Sequence, residues 1–297
     1  MADDAPEPGG SGPEHAPREG PSHARAEGAA IETDFAERMS YTDYLGIDAL
    51  LAAQRPLSDQ HDEMLFIVIH QVQELWMKLM NRELDMARAR LRADDPGPAF
   101  KAMARVSSIQ RQLVSAWDVL ATMTPADYLS FRGALGQSSG FQSWGYRLLE
   151  IKLGARDAFM LRPHAHREDI SATLEAAFRA PSLYDEALAL LARRGLPVPR
   201  AVLERDPATP HVADEGVVAA WEAVYRDSAR RFDLYELAEE LVDLDDAHRT
   251  WRFRHMSTVE RIIGARAGTG GSAGVSYLVK AIERRFFPEL WTVRGRL

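Results

Sequence analysis

Apolar residues recur at helical spacing along most of this 297-residue chain. The clearest run is Leu65, Ile69, Val72, Leu75, Trp76, Leu79 and Leu84, with Ser58 as a candidate N-cap and Glu63 in an early turn. It predicts a long amphipathic helix over about 59–92. A second helix is expected from about Phe100 to Met123. Thr124-Pro125, a capping residue followed by proline at the first helical position, then starts a short third helix carrying Tyr128 and Arg132. Further helices fit 141–153, 168–179, 182–194, 214–243, 246–264 and 274–285. Strand-like alternation with β-branched residues is nearly absent, so the expected fold class is all-α.

Composition changes this picture at the N-terminus. Residues 1–30 hold five Pro, five Gly and no Leu, Ile, Val or aromatic residue, so nothing there repays the entropy of ordering. We expect a disordered acidic tail over 1–34 and a single domain over 35–297, since no later linker composition interrupts the pattern. The net charge is −8, and six acidic against two basic residues in 1–30 supply half of it. With no basic excess to neutralise phosphates, neither nucleic acid nor a membrane surface is an expected partner. The longest stretch free of charged residues, Gly133 to Tyr146, is too short to span a bilayer. The N-terminus has no apolar signal-peptide core, and a cytoplasmic location is the economical expectation. The chain has no cysteine, which excludes disulfides, iron–sulfur clusters, thiolate zinc and covalently attached c-type haem. Any metal must be held by His, Asp or Glu.

Among chemistry-bearing residues, His70 has Phe66 four residues before it and Glu74 four after, all on one helical side. A hydrogen-bonded core histidine explains this pattern, and so does a ligand. A di-iron carboxylate bundle would require paired Glu-x-x-His motifs, and only Asp245 before His248 approaches that spacing. His255 stands alone in an apolar stripe with Trp251, Val259 and Ile262. One imidazole in hydrocarbon surroundings suits the proximal side of a non-covalent haem b, and a satisfied core histidine equally. Tyr128 and Arg132, four apart, can project together, and a guanidinium fork suits a carboxylate substrate. A plain surface arginine is the competing reading. Gly268-Thr269-Gly270-Gly271-Ser272-Ala273-Gly274 lacks the Gly-Lys-Ser/Thr ending of a phosphate-binding loop. It reads either as a lid carrying Thr269 onto a substrate or as a helix connector.

Several segments, taken together and in order, closely resemble the tryptophan 2,3-dioxygenase family. They are Tyr41–Gln54 (YTDYLGIDALLAAQ), His61–Leu84 (HDEMLFIVIHQVQELWMKLMNREL), Tyr128–Arg147 (YLSFRGALGQSSGFQSWGYR), Ala180–Tyr184 (APSLY), Trp251–Tyr277 (WRFRHMSTVERIIGARAGTGGSAGVSY) and Phe286–Leu290 (FFPEL). The likeness spans about residues 36–293. It implies a multi-helix haem-binding bundle of the tryptophan/indoleamine dioxygenase type. The expected enzyme is a homotetramer that inserts both atoms of O2 across the indole C2–C3 bond of L-tryptophan, giving N-formylkynurenine, the first step of the kynurenine pathway.

Carried onto matching positions, the resemblance makes His255 the proximal ligand of the haem iron and His70 the catalytic distal histidine accepting the indole N–H. Phe66 would pack on the indole, and Arg132, Thr269 and Tyr128 would hold the substrate carboxylate. Ser139 and Gly140 fall in a segment bordering the haem edge. Tyr41 and Tyr44 match a segment that, in the family, reaches a neighbouring subunit's site. Three positions depart from the family pattern: Gly145 where Gln is commoner, Ala273 where Ser is, and Ile69 where a polar residue precedes the distal histidine. They leave two alternatives open: the same chemistry on a substituted tryptophan in a specialised biosynthetic pathway, and a non-catalytic haem or tryptophan sensor.

Overall fold

The structure is a computed structural model and describes residues 33–271 and 273–297. The tail expected over 1–34 therefore falls, but for residues 33 and 34, outside the described residues. Chain contacts separate two compact units, Met1–Ala53 and Gln54–Leu297. The described part of the first holds two one-turn helices, α1 (Tyr41–Leu45) and α2 (Ile47–Leu51), joined at Gly46. Gly46 has φ +61°, a left-handed conformation that any side chain would resist.

The second unit contains α3 (His61–Arg92), α4 (Pro96–Leu120), α5 (Pro125–Arg132), α6 (Trp144–Leu153), α7 (Glu168–Arg179) and α8 (Leu183–Arg193). After these come α9 (Arg200–Leu203), α10 (Glu215–Arg226), α11 (Phe232–Ile263), α12 (Val275–Ile282) and α13 (Pro288–Val293). Among the described residues there is no strand, so the fold is all-α as expected. No described helix is long and apolar enough to cross a membrane.

Two 32-residue helices, α3 and α11, both pack on α4. The shared face is fully buried at Met80, Leu84, Leu91, Met103 and Val106 and closes around Leu241 and Leu244. α6 and α8 lie against α3, and α12 lies against α11. Helix α3 is apolar on a second side as well. Met64, Val68, Val72 and Leu75, spaced by three and four residues, are 42%, 38%, 37% and 47% exposed, so Val72 and Leu75 do not join the core their periodicity suggested.

Several helix ends follow local chemistry. Thr124 caps α5 in a reciprocal box with Asp127, whose backbone N–H donates to the threonine hydroxyl at 3.3 Å, with Pro125 at the first position. Ser58 does not cap α3 directly, since Gln60 holds that position. Its backbone N–H instead donates to the Glu63 carboxylate at 2.7 Å, which ties the entering chain to the first turn.

The C-terminal third corrects the expected boundaries. The break expected near 244 is absent, and the chain turns instead at 227–231, where the Asp227 carbonyl accepts from the backbone N–H groups of Arg230 and Arg231. The expected boundary between 243 and 246 falls in the acidic run Asp243, Asp245 and Asp246. Asp245 is instead buried and continues α11, because Trp291 Nε1 donates to its carboxylate at 2.8 Å.

A buried polar hub fixes α8, α10 and α13 together. Glu289, wholly buried, accepts from Tyr184 Oη at 2.9 Å, from His211 Nε2 at 2.6 Å and from the Asp214 backbone N–H at 3.0 Å. Trp221 Nε1 in turn donates to the Tyr184 hydroxyl at 3.1 Å. Removing the carboxylate strands those donors in a dry interior. Glu289→Ala is expected to cost about 3 kcal/mol, read as a lower urea midpoint at unchanged slope; a loss under about 1 kcal/mol would mean that the hub is not structural.

Candidate active site

The second unit holds a cavity with about 240 Å³ of space for water-molecule centres, walled by α3, α4, α5, α6, α11, α12 and the loops between them. Phe66, His70, Tyr128, Ser139, Gly140, His255 and Thr269 all line it.

On the α3 wall, the His70 ring lies 4.2 Å from that of Phe66, and its Nδ1 is 2.7 Å from the Phe66 carbonyl oxygen. A carbonyl only accepts, so Nδ1 carries the proton and Nε2 keeps a free lone pair. Burial lowers the His70 pKa, which keeps the ring neutral near pH 7. Phe66 also meets Tyr128 at 6.0 Å and Phe131 at 5.7 Å, so one aromatic cluster joins α3 to α5.

On the α11 wall, His255 is stacked on Trp117 of α4, with ring centroids 4.6 Å apart, and on Trp251 at 5.5 Å. Burial, helped by nearby His70, pushes its pKa down to about 4. The ring makes no hydrogen bond among the described residues and is neutral, so both walls present an imidazole nitrogen lone pair. Trp117 spans the two walls, standing edge-on to His70 at 6.1 Å.

The loop between α11 and α12 lies over the segment before α6. Thr269 Oγ1 donates to the Ser138 carbonyl, and a Cβ on Gly270 would fall 2.7 Å from that of Ser139. At Gly274, φ is +61° and a Cβ would meet the Arg266 carbonyl oxygen at 2.5 Å, so that position accepts only glycine. Arg132 does not line the cavity. It interacts with Tyr128, and its Nη2 donates to the Ala267 carbonyl at 2.7 Å, anchoring the same loop. Burial raises the Tyr128 pKa, so its phenol stays protonated.

Tyr41 and Tyr44 are on α1 of the first unit, 76% and 75% exposed. Of the three departures, Ile69 is buried in the core and absent from the cavity wall. Ala273 is exposed, and its neighbour Ser272 lies outside the described residues. Gly145 has a local reason. A Cβ there would stand 2.7 Å from Glu74 Oε2, while the other Glu74 oxygen accepts from Ser143 Oγ at 2.5 Å. Glycine at 145 lets the carboxylate occupy this wall.

Residue patterns alone did not single out Trp117, Tyr146, Arg147, Glu150, Arg252 or Arg284, which also line the cavity. A lone tryptophan in an amphipathic run reads as core, and the ion group assembles from three separated segments with no shared spacing.

The donor set suits haem. His255 offers one unengaged nitrogen ligand amid Trp117, Trp251, Val259 and Ile263. Among the described residues no cluster of three or more His, Asp or Glu could hold an ion unaided. A porphyrin-held iron would need from the protein one imidazole and hydrocarbon contact, and His255 with these neighbours would supply both.

The family model for tryptophan 2,3-dioxygenase matches residues 26–297. Among curated relatives, the tryptophan 2,3-dioxygenase of Polaromonas sp. (strain JS666) is 59% identical over 266 residues, covering 90% of this chain and 90% of the relative. That of Bordetella parapertussis is also 59% identical, covering 90% and 94%, and that of Bacillus cereus is 52% identical, covering 90% and 96%. Identity at this level over both chains, joined to two imidazoles on one aromatic cavity in an all-helical frame, establishes that the chain belongs to the tryptophan 2,3-dioxygenase family.

Proposed function

We propose that the chain is a haem-dependent dioxygenase that inserts both atoms of O2 across the indole C2–C3 bond of L-tryptophan to give N-formylkynurenine. The observation that carries this reading is the pairing of His70 and His255 on one aromatic cavity, the first ring held by a backbone carbonyl and the second unengaged. His255 would be the proximal ligand, with Trp117 and Trp251 against the porphyrin and Ser139 and Gly140 at its edge. Ferrous haem b, when bound, supplies the iron centre that activates dioxygen.

The remaining work is orientation and exclusion of water. His70, with Nδ1–H committed to the Phe66 carbonyl, turns Nε2 to the indole N–H, and Phe66 packs on the ring. A neutral imidazole is far too weak a base to deprotonate indole, so His70 orients substrate and does not need to remove its proton. Arg132 has donors to spare beyond the one given to Ala267 and, with Tyr128 and with Thr269 once its hydroxyl leaves the Ser138 carbonyl, would take the substrate carboxylate.

A homotetramer is part of this reading, with Tyr41 and Tyr44 reaching a neighbouring subunit's site. The exposed stripe Met64, Val68, Val72 and Leu75 supports association, since contiguous apolar helix faces are rarely left to water. In this reading residues 35–297 act as one functional domain, and we place the chain in the cytoplasm on the sequence grounds above.

Reduced, haem-loaded protein mixed with O2 and L-tryptophan should form N-formylkynurenine, identified by mass and absorbance. Haem without product would overturn the assignment of L-tryptophan as substrate. His255→Ala should lose stable haem, whereas His70→Ala should keep haem and slow turnover without abolishing it. A full haem complement in His255→Ala would refute the proximal role. Arg132→Ala should raise KM for tryptophan by about tenfold or more, the worth of a charge-assisted contact, and an unchanged KM would remove it from carboxylate recognition. Leu75→Glu should dissociate the assembly, seen as a smaller mass by light scattering; an intact tetramer would exclude the α3 stripe from the interface.

A further inference from the structure

Arg147 and Glu150 of α6, Arg252 of α11 and Arg284 just after α12 all line the cavity. Glu150 accepts from Arg252 Nη2 at 2.9 Å, from Tyr146 Oη at 3.0 Å and from Arg147 Nη1, and Arg284 Nη1 stands 3.5 Å away. Arg147, Glu150 and Arg252 are 5%, 3% and 3% exposed. Burial by itself would raise the Glu150 pKa, but the guanidiniums of Arg147, Arg252 and Arg284 outweigh it and hold the carboxyl below its usual range. Nearby His248 is buried and stays neutral, so it adds no charge. Three guanidiniums therefore face a single carboxylate. A purely structural buried cluster tends towards neutrality, because each uncompensated charge there is costly. Glu74 lines the same cavity, and even with its carboxylate counted the wall keeps more guanidinium than carboxylate charge, Arg147, Arg252 and Arg284 against Glu150 and Glu74.

The unpartnered polar atoms point the same way. Four buried side-chain nitrogens among the lining residues have no hydrogen-bond partner: Gln73 Nε2, Trp117 Nε1, Arg147 Nε and Trp251 Nε1. All four are donors, and apart from the imidazole lone pairs of His70 and His255 the lining residues leave no such buried acceptor among the described residues. The complement of such a wall is a ligand that brings acceptors and negative charge. Of the arginines, Arg284 is the least committed, with a side chain 37% exposed and its one long contact to Glu150.

We propose that Arg147, Arg252 and Arg284 around Glu150 form an anion-receiving wall that binds the propionate carboxylates of the haem, with Arg284 as the arginine freest to turn onto them. The proposal rests on the haem reading above. It separates two carboxylate sites: Arg132 beside Tyr128 for the amino-acid substrate, and the Arg147–Arg252–Arg284 wall for the cofactor. Glu150 then serves to hold the guanidiniums in place before the cofactor arrives.

The test is a titration of the apo chain with ferric haem and, separately, with its dimethyl ester, followed by the Soret band. The ester keeps the iron and the ring but has no anionic carboxylates. Wild type should bind haem about tenfold or more tightly than the ester, as one charge-assisted contact provides. Arg284→Leu should shrink that preference to under about threefold, and Arg284→Lys should retain most of it. Should Arg284→Leu fail to fold, the same ratio is read in Arg284→Gln. Equal binding of haem and ester by wild type, or an undiminished preference in the Arg284 variants, would overturn the proposal. If neither compound shifts the Soret band, the haem reading itself fails and the proposal falls with it.

Discussion

The packing of α4 against both long helices is the constraint on which the site depends. α3 carries His70 and α11 carries His255, 185 positions later in the chain, and neither helix by itself says where the other lies. Their common partner decides it. Trp117 on α4 is stacked on one imidazole and edge-on to the other, so the distance between the two walls follows from core packing along the whole helix pair. Burial on those walls also keeps both rings neutral, so the packing that sets their spacing also preserves the lone pairs that the proposed function uses.

Two buried carboxylates illustrate how environment divides structure from function. Glu289 receives neutral donors, a phenol and a backbone N–H, together with His211, and it is fully enclosed among α8, α10 and α13. Its bonds are complete, and it holds the distal part of the fold. Glu150 is surrounded by guanidiniums that outnumber it and that open onto the cavity. Complete satisfaction marks the first as a fastening, and surplus positive charge marks the second as part of a binding wall.

The loop from Gly264 to Gly274 shows a third device. Gly270 allows its backbone to lie directly on the 137–139 segment, Thr269 reaches the Ser138 carbonyl across that seam, and Arg132 holds the loop at the Ala267 carbonyl. Residues that the sequence suggested for a substrate carboxylate therefore also hold the loop that borders the cavity. In the proposed reading, recognition of substrate and ordering of this border would draw on the same residues.

The sequence by itself determined the all-α class, the α3 and α5 positions and the capping of α5, because periodicity, Pro at the first helical position and a Thr–Asp box act within a few residues. It also determined, through segments such as the one around His70 and the one around His255, which family the chain belongs to. Tertiary structure decided what depends on distant partners. Asp245 lies inside α11, where a break was expected, with its carboxylate buried and accepting from Trp291 far along the chain. Val72 and Leu75 remain exposed although their spacing matches the core, since periodicity identifies an apolar face and not what covers it. The same holds for Trp117 and for the arginines around Glu150. Local sequence sets which way a side chain leaves its helix, but only the packing of helices far apart in the chain sets what it meets.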